Sequence, residues 1–183
     1  MMKQNEHNSP AERGTLRIGG ALRPLQLPLA GGSSITIGKA SESGFTVLMF
    51  YRGYHCPFCR KQLNEMERLA SEFREKGVSL IAISCDTHER AEKTREEWRI
   101  HNIPIAYGLD PEEGRKWGLF VSSAIKESEP ERFCEPGIFL MRSDGTLYAS
   151  SIQSMPFTRP GGEELLKALE MILEKNYPSR GEA

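Results

Sequence analysis

The chain has 183 residues, 24 basic against 25 acidic side chains for a formal charge of −1, and four cysteines. That length suits one domain with a sizeable core, and the balanced charge argues against nucleic acid or an anionic membrane as a partner. Cys56, Cys59, Cys85 and Cys134 are too few and too unevenly spaced for a secreted disulfide scaffold.

The polar start, MMKQNEHNSPAERG, lacks the apolar core of a signal peptide, and no apolar run reaches membrane-spanning length. A cytoplasmic protein is the expectation, with residues 1–14 a disordered tail, 15–176 a single domain and 177–183 a second tail. Residues 25–37 read as two short strands around a Gly-Gly-Ser turn. FTVLMFY (45–51) is a continuous apolar, β-branched and aromatic run, the pattern of a strand buried on both faces. From Pro57 the period changes: Leu63, Met66, Leu69, Ala70 and Phe73 recur at helical spacing until Gly77. VSLIAIS (78–84) is a second buried strand, so strand, helix and strand make a βαβ unit with parallel strands.

A charged helix is predicted over 88–102, carrying His88 and His101 on a solvated face without metal-ligand spacing. A short strand follows at 103–107 and a short helix at PEEGRKWG. Residues 119–135 read as an inserted loop. GIFLMR-SDG-TLYAS is an antiparallel hairpin with its turn at Ser-Asp-Gly. GGEELLKALEMILEKN closes the chain as an amphipathic helix. The order describes an α/β fold, a central mixed sheet with helices on both faces.

Cys56 falls where strand gives way to helix, at or near the N-cap, with Pro57 suited to the first helical position. Cys59 sits one turn on, within reach of a disulfide. The helix start faces Cys56 with free amides and the positive end of its dipole, which lowers a cysteine pKa from about 8.5 into the range of roughly 3.5–7.5. Arg52, His55 and Arg60 add to that effect. The spacing thus predicts an exposed, acidic Cys56 for attack and a sheltered Cys59 for resolution. Zinc and an inert buried pair are the competing readings. Zinc is weakened because Cys85 and Cys134 form no second knuckle, and an inert pair because structural cysteines seldom sit at a helix start.

With these residues in view, 45–150 resembles the thioredoxin superfamily, and within it the alkyl hydroperoxide reductase / thiol-specific antioxidant (peroxiredoxin-like) family. VLMFYRGYHCPFCRKQLNEM is similar to that family's catalytic strand-loop-helix, VSLIAISCD to its second strand, IPIAYGLDPEEGRKWGL to its next strand and short helix, and EPGIFLMRSDGTLY to its final hairpin. The strands before residue 45 and the insertion at 119–135 are peroxiredoxin-like additions to a plain thioredoxin fold. The resemblance implies a cis bond at Pro136, shaping the wall beside Cys56, and places Cys134 near Cys56 as a possible third redox thiol. It also suggests a homodimer. Two positions depart from the family pattern: Gly53 stands where a threonine usually orients the peroxide, and Pro136 stands about where an arginine usually begins the late strand. Arg52 is the nearest substitute for that charge.

Cys85 reads as a packed core thiol, and His55 as local electrostatics rather than a general base. Tyr54 and Phe58 read as an apolar rim, and SMPFTRPGG (154–162) as a binding or dimer-contact loop or a plain surface turn. The leading functional expectation is reduction of a hydroperoxide by Cys56 and Cys59, restored by an external dithiol of thioredoxin or glutathione type. It requires no metal, flavin or nicotinamide cofactor. The alternatives are a protein disulfide oxidoreductase using the same pair and a non-catalytic redox-sensing module.

Overall fold

The computed structural model describes residues 16–183; the expected N-terminal tail, 1–14, lies outside them. The first element pair is a hairpin, β1 (Leu25–Pro28) antiparallel to β2 (Ser34–Ile37), turning through Gly31 and Gly32. Next come β3 (Phe45–Phe50), α1 (Pro57–Glu75) and β4 (Val78–Ile83). This is the βαβ unit, with β3 parallel to β4 and Phe45 opposite Val78. There follow α2 (His88–Glu97), β5 (Ile105–Ala106), α3 (Pro111–Lys116), β6 (Val121–Ser123) and β7 (Arg132–Cys134). The chain closes with β8 (Gly137–Arg142), β9 (Leu147–Ile152) and α4 (Gly162–Lys175).

One sheet of order β5-β4-β3-β8-β9 forms the centre, parallel among β5, β4 and β3 and antiparallel through β8 and β9. Every residue of β3 is buried, because alternate side chains enter two different cores. Val47 and Met49 join Leu63, Met66 and Phe73 of α1 with Leu166 and Leu169 of α4 on one face. Leu48 and Phe50 meet Trp117, Leu119 and Phe139 on the other, beneath α3 and the β1–β2 hairpin. Burying such a side chain contributes about 1.5–3 kcal/mol, so β3 is firmly held and its end is a fixed platform. The Ser-Asp-Gly turn forms as expected: Gly145 has φ +84°, and Asp144 accepts from the Thr146 amide at 2.9 Å.

Three boundaries differ from the sequence reading. Helix α2 stops at Glu97 rather than at 102, because Arg99 adopts φ +58° and turns Ile100 into the core. His101 therefore lies in a loop, where Glu67 of α1 accepts its backbone amide and those of Asn102 and Ile103. The strand expected over 103–107 contracts to two residues, Ile105–Ala106. Residues 119–135 are not a bare loop: β6 and β7 pair antiparallel, Val121 opposite Cys134. After α4 the chain has no regular element, though Tyr148 Oη donates to the Tyr177 carbonyl at 2.9 Å. No helix among the described residues is long and apolar enough to cross a membrane.

Candidate active site

The loop from β3 to α1 is folded around a carboxylate from the next strand. Asp86, just past β4, has a fully buried side chain that accepts from the Tyr54 amide at 2.8 Å and from Arg90 Nε at 2.9 Å. Gly53 passes over it with φ +131°, and a Cβ there would stand 2.6 Å from Asp86 Oδ1. The departure from the family pattern at Gly53 now has a cause: no side chain, and no threonine hydroxyl, fits between this backbone and Asp86. The Cys56 amide closes the turn by donating to the Gly53 carbonyl at 3.1 Å.

Cys56 is the N-cap of α1, in extended conformation, and Pro57 occupies the first helical turn. Its sulfur accepts from the Cys59 amide at 3.2 Å and from the Cys59 thiol at 2.6 Å. Both cysteines are free, and a disulfide would need a sulfur separation of about 2.05 Å. The Cys56 thiol is lowered to about 6, first by the Cys59 S–H, against burial, then by the Cys59 amide and the charges of Arg159 and Arg52. Cys59 is pushed well up by burial and by its neighbour's sulfur. At pH 7 the pair is one thiolate and one thiol. The expected contrast in exposure is absent: Cys56 is 1% accessible and Cys59 0%. Acidity comes from the donors aimed at the sulfur, not from solvent.

The cations nearest in sequence do less than expected. Arg52 makes ion pairs with Glu129 at 3.5 Å and Glu135 at 3.4 Å, and its guanidinium lies over Phe133, 4.7 Å from the ring centre. These partners come from the insertion, so Arg52 fastens 129–135 to the loop before Cys56 while part of its charge still acts on that sulfur. Burial, with repulsion from Arg52 and Arg90, lowers His55 to about 4. It is neutral at pH 7 and brings no positive charge to Cys56. Arg60 is exposed on α1.

The larger charge acting on the sulfurs is that of Arg159, in the segment between β9 and α4. Its Nη1 donates to Cys59 Sγ at 3.5 Å and to Gln62 Oε1 at 2.9 Å, while Gln62 Nε2 donates to the Pro160 carbonyl at 3.2 Å. Arg159 has no carboxylate partner among the ion pairs of the described residues. From the sequence this segment reads as a binding or dimer-contact loop or a surface turn; the Arg-Pro-Gly-Gly before a helix gives no sign of contact 100 residues away.

The rim is divided. Phe58 is half exposed and meets Phe157 edge to face, ring centres 5.7 Å apart. A groove of about 240 Å³ runs beside them along Gln62, Pro156, Arg159 and Pro160. Tyr54 instead stacks on Trp98 at 5.8 Å and donates to Glu97. Pro136 does precede β8, whose Gly137 pairs with Phe50, but no peptide bond among the described residues is cis. The Glu135 amide bonds to Phe120 at 2.8 Å and the Pro136 carbonyl accepts from Gln153 at 2.9 Å, so an extended trans chain runs from β7 into β8. Cys134 is also displaced from its expected place. It belongs to the core on the other face of the sheet and lies 3.5 Å, sulfur to sulfur, from Cys85.

The chain resembles known proteins in sequence and in fold. Residues 18–150 fit the family model described as AhpC/TSA family. Over 83 residues the chain is 31% identical to a 1-Cys peroxiredoxin of Medicago truncatula, a match covering 45% of this chain and 36% of that one. Over 79 residues it is 30% identical to the thiol-disulfide oxidoreductase ResA of Halalkalibacterium halodurans, covering 43% and 44%. The chain thus spans less than half the length of these curated relatives. In fold it is similar to a mutant of peroxiredoxin 6 from Arenicola marina, with a TM-score of 0.73 at 18% identity over 88% of this chain and 75% of that one. It is also similar to peroxidoxin BcpB of Mycobacterium tuberculosis, with a TM-score of 0.67 at 20% identity over 87% and 97%.

Proposed function

The chain belongs to the AhpC/TSA family, its model fitting residues 18–150, and from that premise we propose that it is a peroxiredoxin-like thiol oxidoreductase whose substrate is a small hydroperoxide. One observation carries the reading: Cys56 Sγ receives hydrogen bonds from the Cys59 amide at 3.2 Å and the Cys59 thiol at 2.6 Å, donors that lower its pKa to about 6. The thiolate attacks one peroxide oxygen; an S–O bond forms, the O–O bond breaks, and the leaving oxygen takes back from solvent the proton that Cys56 gave up on ionising and departs as water or an alcohol. Cys59 then condenses with the sulfenic acid, forming the disulfide and expelling water, its proton going to the departing hydroxyl. An external dithiol of thioredoxin or glutathione type restores both thiols, in the reducing cytoplasm we assign to the protein. The burial of Cys56 favours a small peroxide, which enters more readily than a protein disulfide.

Arg159 supplies the cationic help that the family's late-strand arginine would give. It faces the sulfurs from the segment before α4, while Pro136 occupies the start of β8. Stopped-flow mixing of reduced protein with hydrogen peroxide tests the proposal. Oxidation far faster than that of free cysteine, lost in Cys56→Ser, is the expected result; a rate equal to free cysteine overturns it.

A second reading has its own observation, the exposed Phe58–Phe157 ridge beside the pair, which suits docking of a protein disulfide. Insulin reduction regenerated by a dithiol measures it. Turnover there, with peroxide reactivity no better than free cysteine, would move the assignment to protein disulfide reduction.

A further inference from the structure

Cys85 and Cys134 are 49 positions apart in sequence, yet their sulfurs lie 3.5 Å apart on the sheet face opposite Cys56 and Cys59. Cys85 follows the end of β4 and is half-buried; Cys134 ends β7 and is 1% accessible. The fold makes specific room for the inner sulfur. Gly114 of α3 packs against it so closely that a Cβ there would stand 2.2 Å from Cys134 Sγ. The two thiols are also unequal. The contact with the Cys134 side chain, and then the Cys134 amide, hold Cys85 below its ordinary value against burial and the Asp86 and Asp110 carboxylates, while Cys134 is pushed far up by Cys85 and by burial.

We propose that Cys85 and Cys134 are a second redox pair, oxidised by a hydroperoxide to a reversible intramolecular disulfide that staples the 119–135 insertion to the end of β4. The Cys85 sulfur attacks the peroxide: an S–O bond forms as the O–O bond breaks, and the Cys85 thiol proton goes to the leaving oxygen, which departs as water or an alcohol. The Cys134 thiol then attacks the Cys85 sulfenic sulfur; the S–S bond forms, the S–O bond breaks, and water leaves with the Cys134 proton. Two thiols lose two electrons in all, one peroxide gains them, and a dithiol reverses the reaction. The central sheet lies between the two pairs, so the second forms without exchange with the first.

The staple reaches the catalytic loop from behind. Strand β7 turns Cys134 into one core and its neighbour Phe133 the other way, against His55 at 4.9 Å between ring centres and beneath Arg52. Oxidation fixes the strand on which Arg52 rests.

The unaltered protein reads the outcome directly, because trypsin separates the cysteines into three peptides: 53–60 with Cys56 and Cys59, 77–90 with Cys85, and 133–142 with Cys134. Reduced protein is treated with hydrogen peroxide, blocked with N-ethylmaleimide, digested and weighed by mass spectrometry. The expected product is peptide 77–90 joined to 133–142, independent of protein concentration and removed by dithiothreitol. In Cys134→Ala the linked species disappears and dimedone traps a sulfenic acid on Cys85. Both thiols still alkylated after peroxide, or Cys85 carried to sulfinic acid without a link, overturns the proposal. The state of peptide 53–60 in the same digest reports separately on the Cys56–Cys59 site.

Discussion

Each face of the central sheet holds a pair of cysteines, and the two pairs reach a similar end by different routes. On the α1 face the partners are one helical turn apart, so the backbone that brings Cys59 close also turns its amide onto Cys56. On the other face the partners come from just past β4 and from the insertion, and tertiary packing, Gly114 against Cys134 included, holds them at 3.5 Å. The first sulfur has a cation, Arg159, among the groups that acidify it; the second has two carboxylates opposing ionisation. The lesson is that proximity makes a disulfide possible, but the direction of nearby donors and charges decides which sulfur attacks and how readily.

The largest effect expected is on the first pair. Cys59→Ala removes the resolving thiol and the main donor to Cys56, so the thiolate fraction at pH 7 falls at least about tenfold. Steady turnover with peroxide and a dithiol should stop, while a single oxidation of Cys56 remains detectable by dimedone. Thiolate absorbance at 240 nm followed against pH makes the measurement, and a Cys56 titration unmoved by the substitution would break the contrast drawn above.

Next comes the division of labour between two arginines. Arg52→Met leaves the buried Glu129 and Glu135 carboxylates unpaired and should cost roughly 3 kcal/mol of stability, read as a lower urea midpoint, while the Cys56 titration rises less than it does in Arg159→Gln. Arg159→Gln should do the reverse. Its urea midpoint stays near that of the parent, and the peroxide rate drops about threefold at pH 6 but little at pH 8, because the lost charge matters only where the thiol is partly protonated. Equal effects from both substitutions would erase the distinction.

The smallest perturbation is pH alone. The thiolate is the reacting form and Cys56 is lowered to about 6, so the second-order rate should climb with pH, bend near that value and level off above about pH 7. His55, lowered to about 4 and neutral throughout this range, should add no second inflection. A profile rising only above pH 8 would show that the donors at the helix start do not acidify Cys56.

Much of this was written locally. The β3–α1–β4 unit, the Pro57 helix start and the closing hairpin follow from runs and periods within a few dozen residues, and the Cys56–Cys59 contact follows from helical spacing alone. The 154–162 segment read as a binding or dimer-contact loop or a surface turn, with nothing to tie it to Cys59. What it hid were meetings between distant segments: Arg159 with Cys59, Asp86 inside the Gly53 loop, and Cys85 with Cys134. Reasoning from neighbours in the chain also assigned positive charge to His55 and to Arg52. Burial removed the first, and the acids of the insertion compensated part of the second.

The amino-acid order by itself determined the α/β class and the acidic cysteine, since backbone hydrogen bonding and helix geometry act over three or four residues. Which cation faces that sulfur, which sulfur pairs with Cys134, and that Cys56 is covered were decided only when the sheet brought remote segments together. Desolvation and charge compensation depend on everything packed around a group, and that environment exists only in the folded chain.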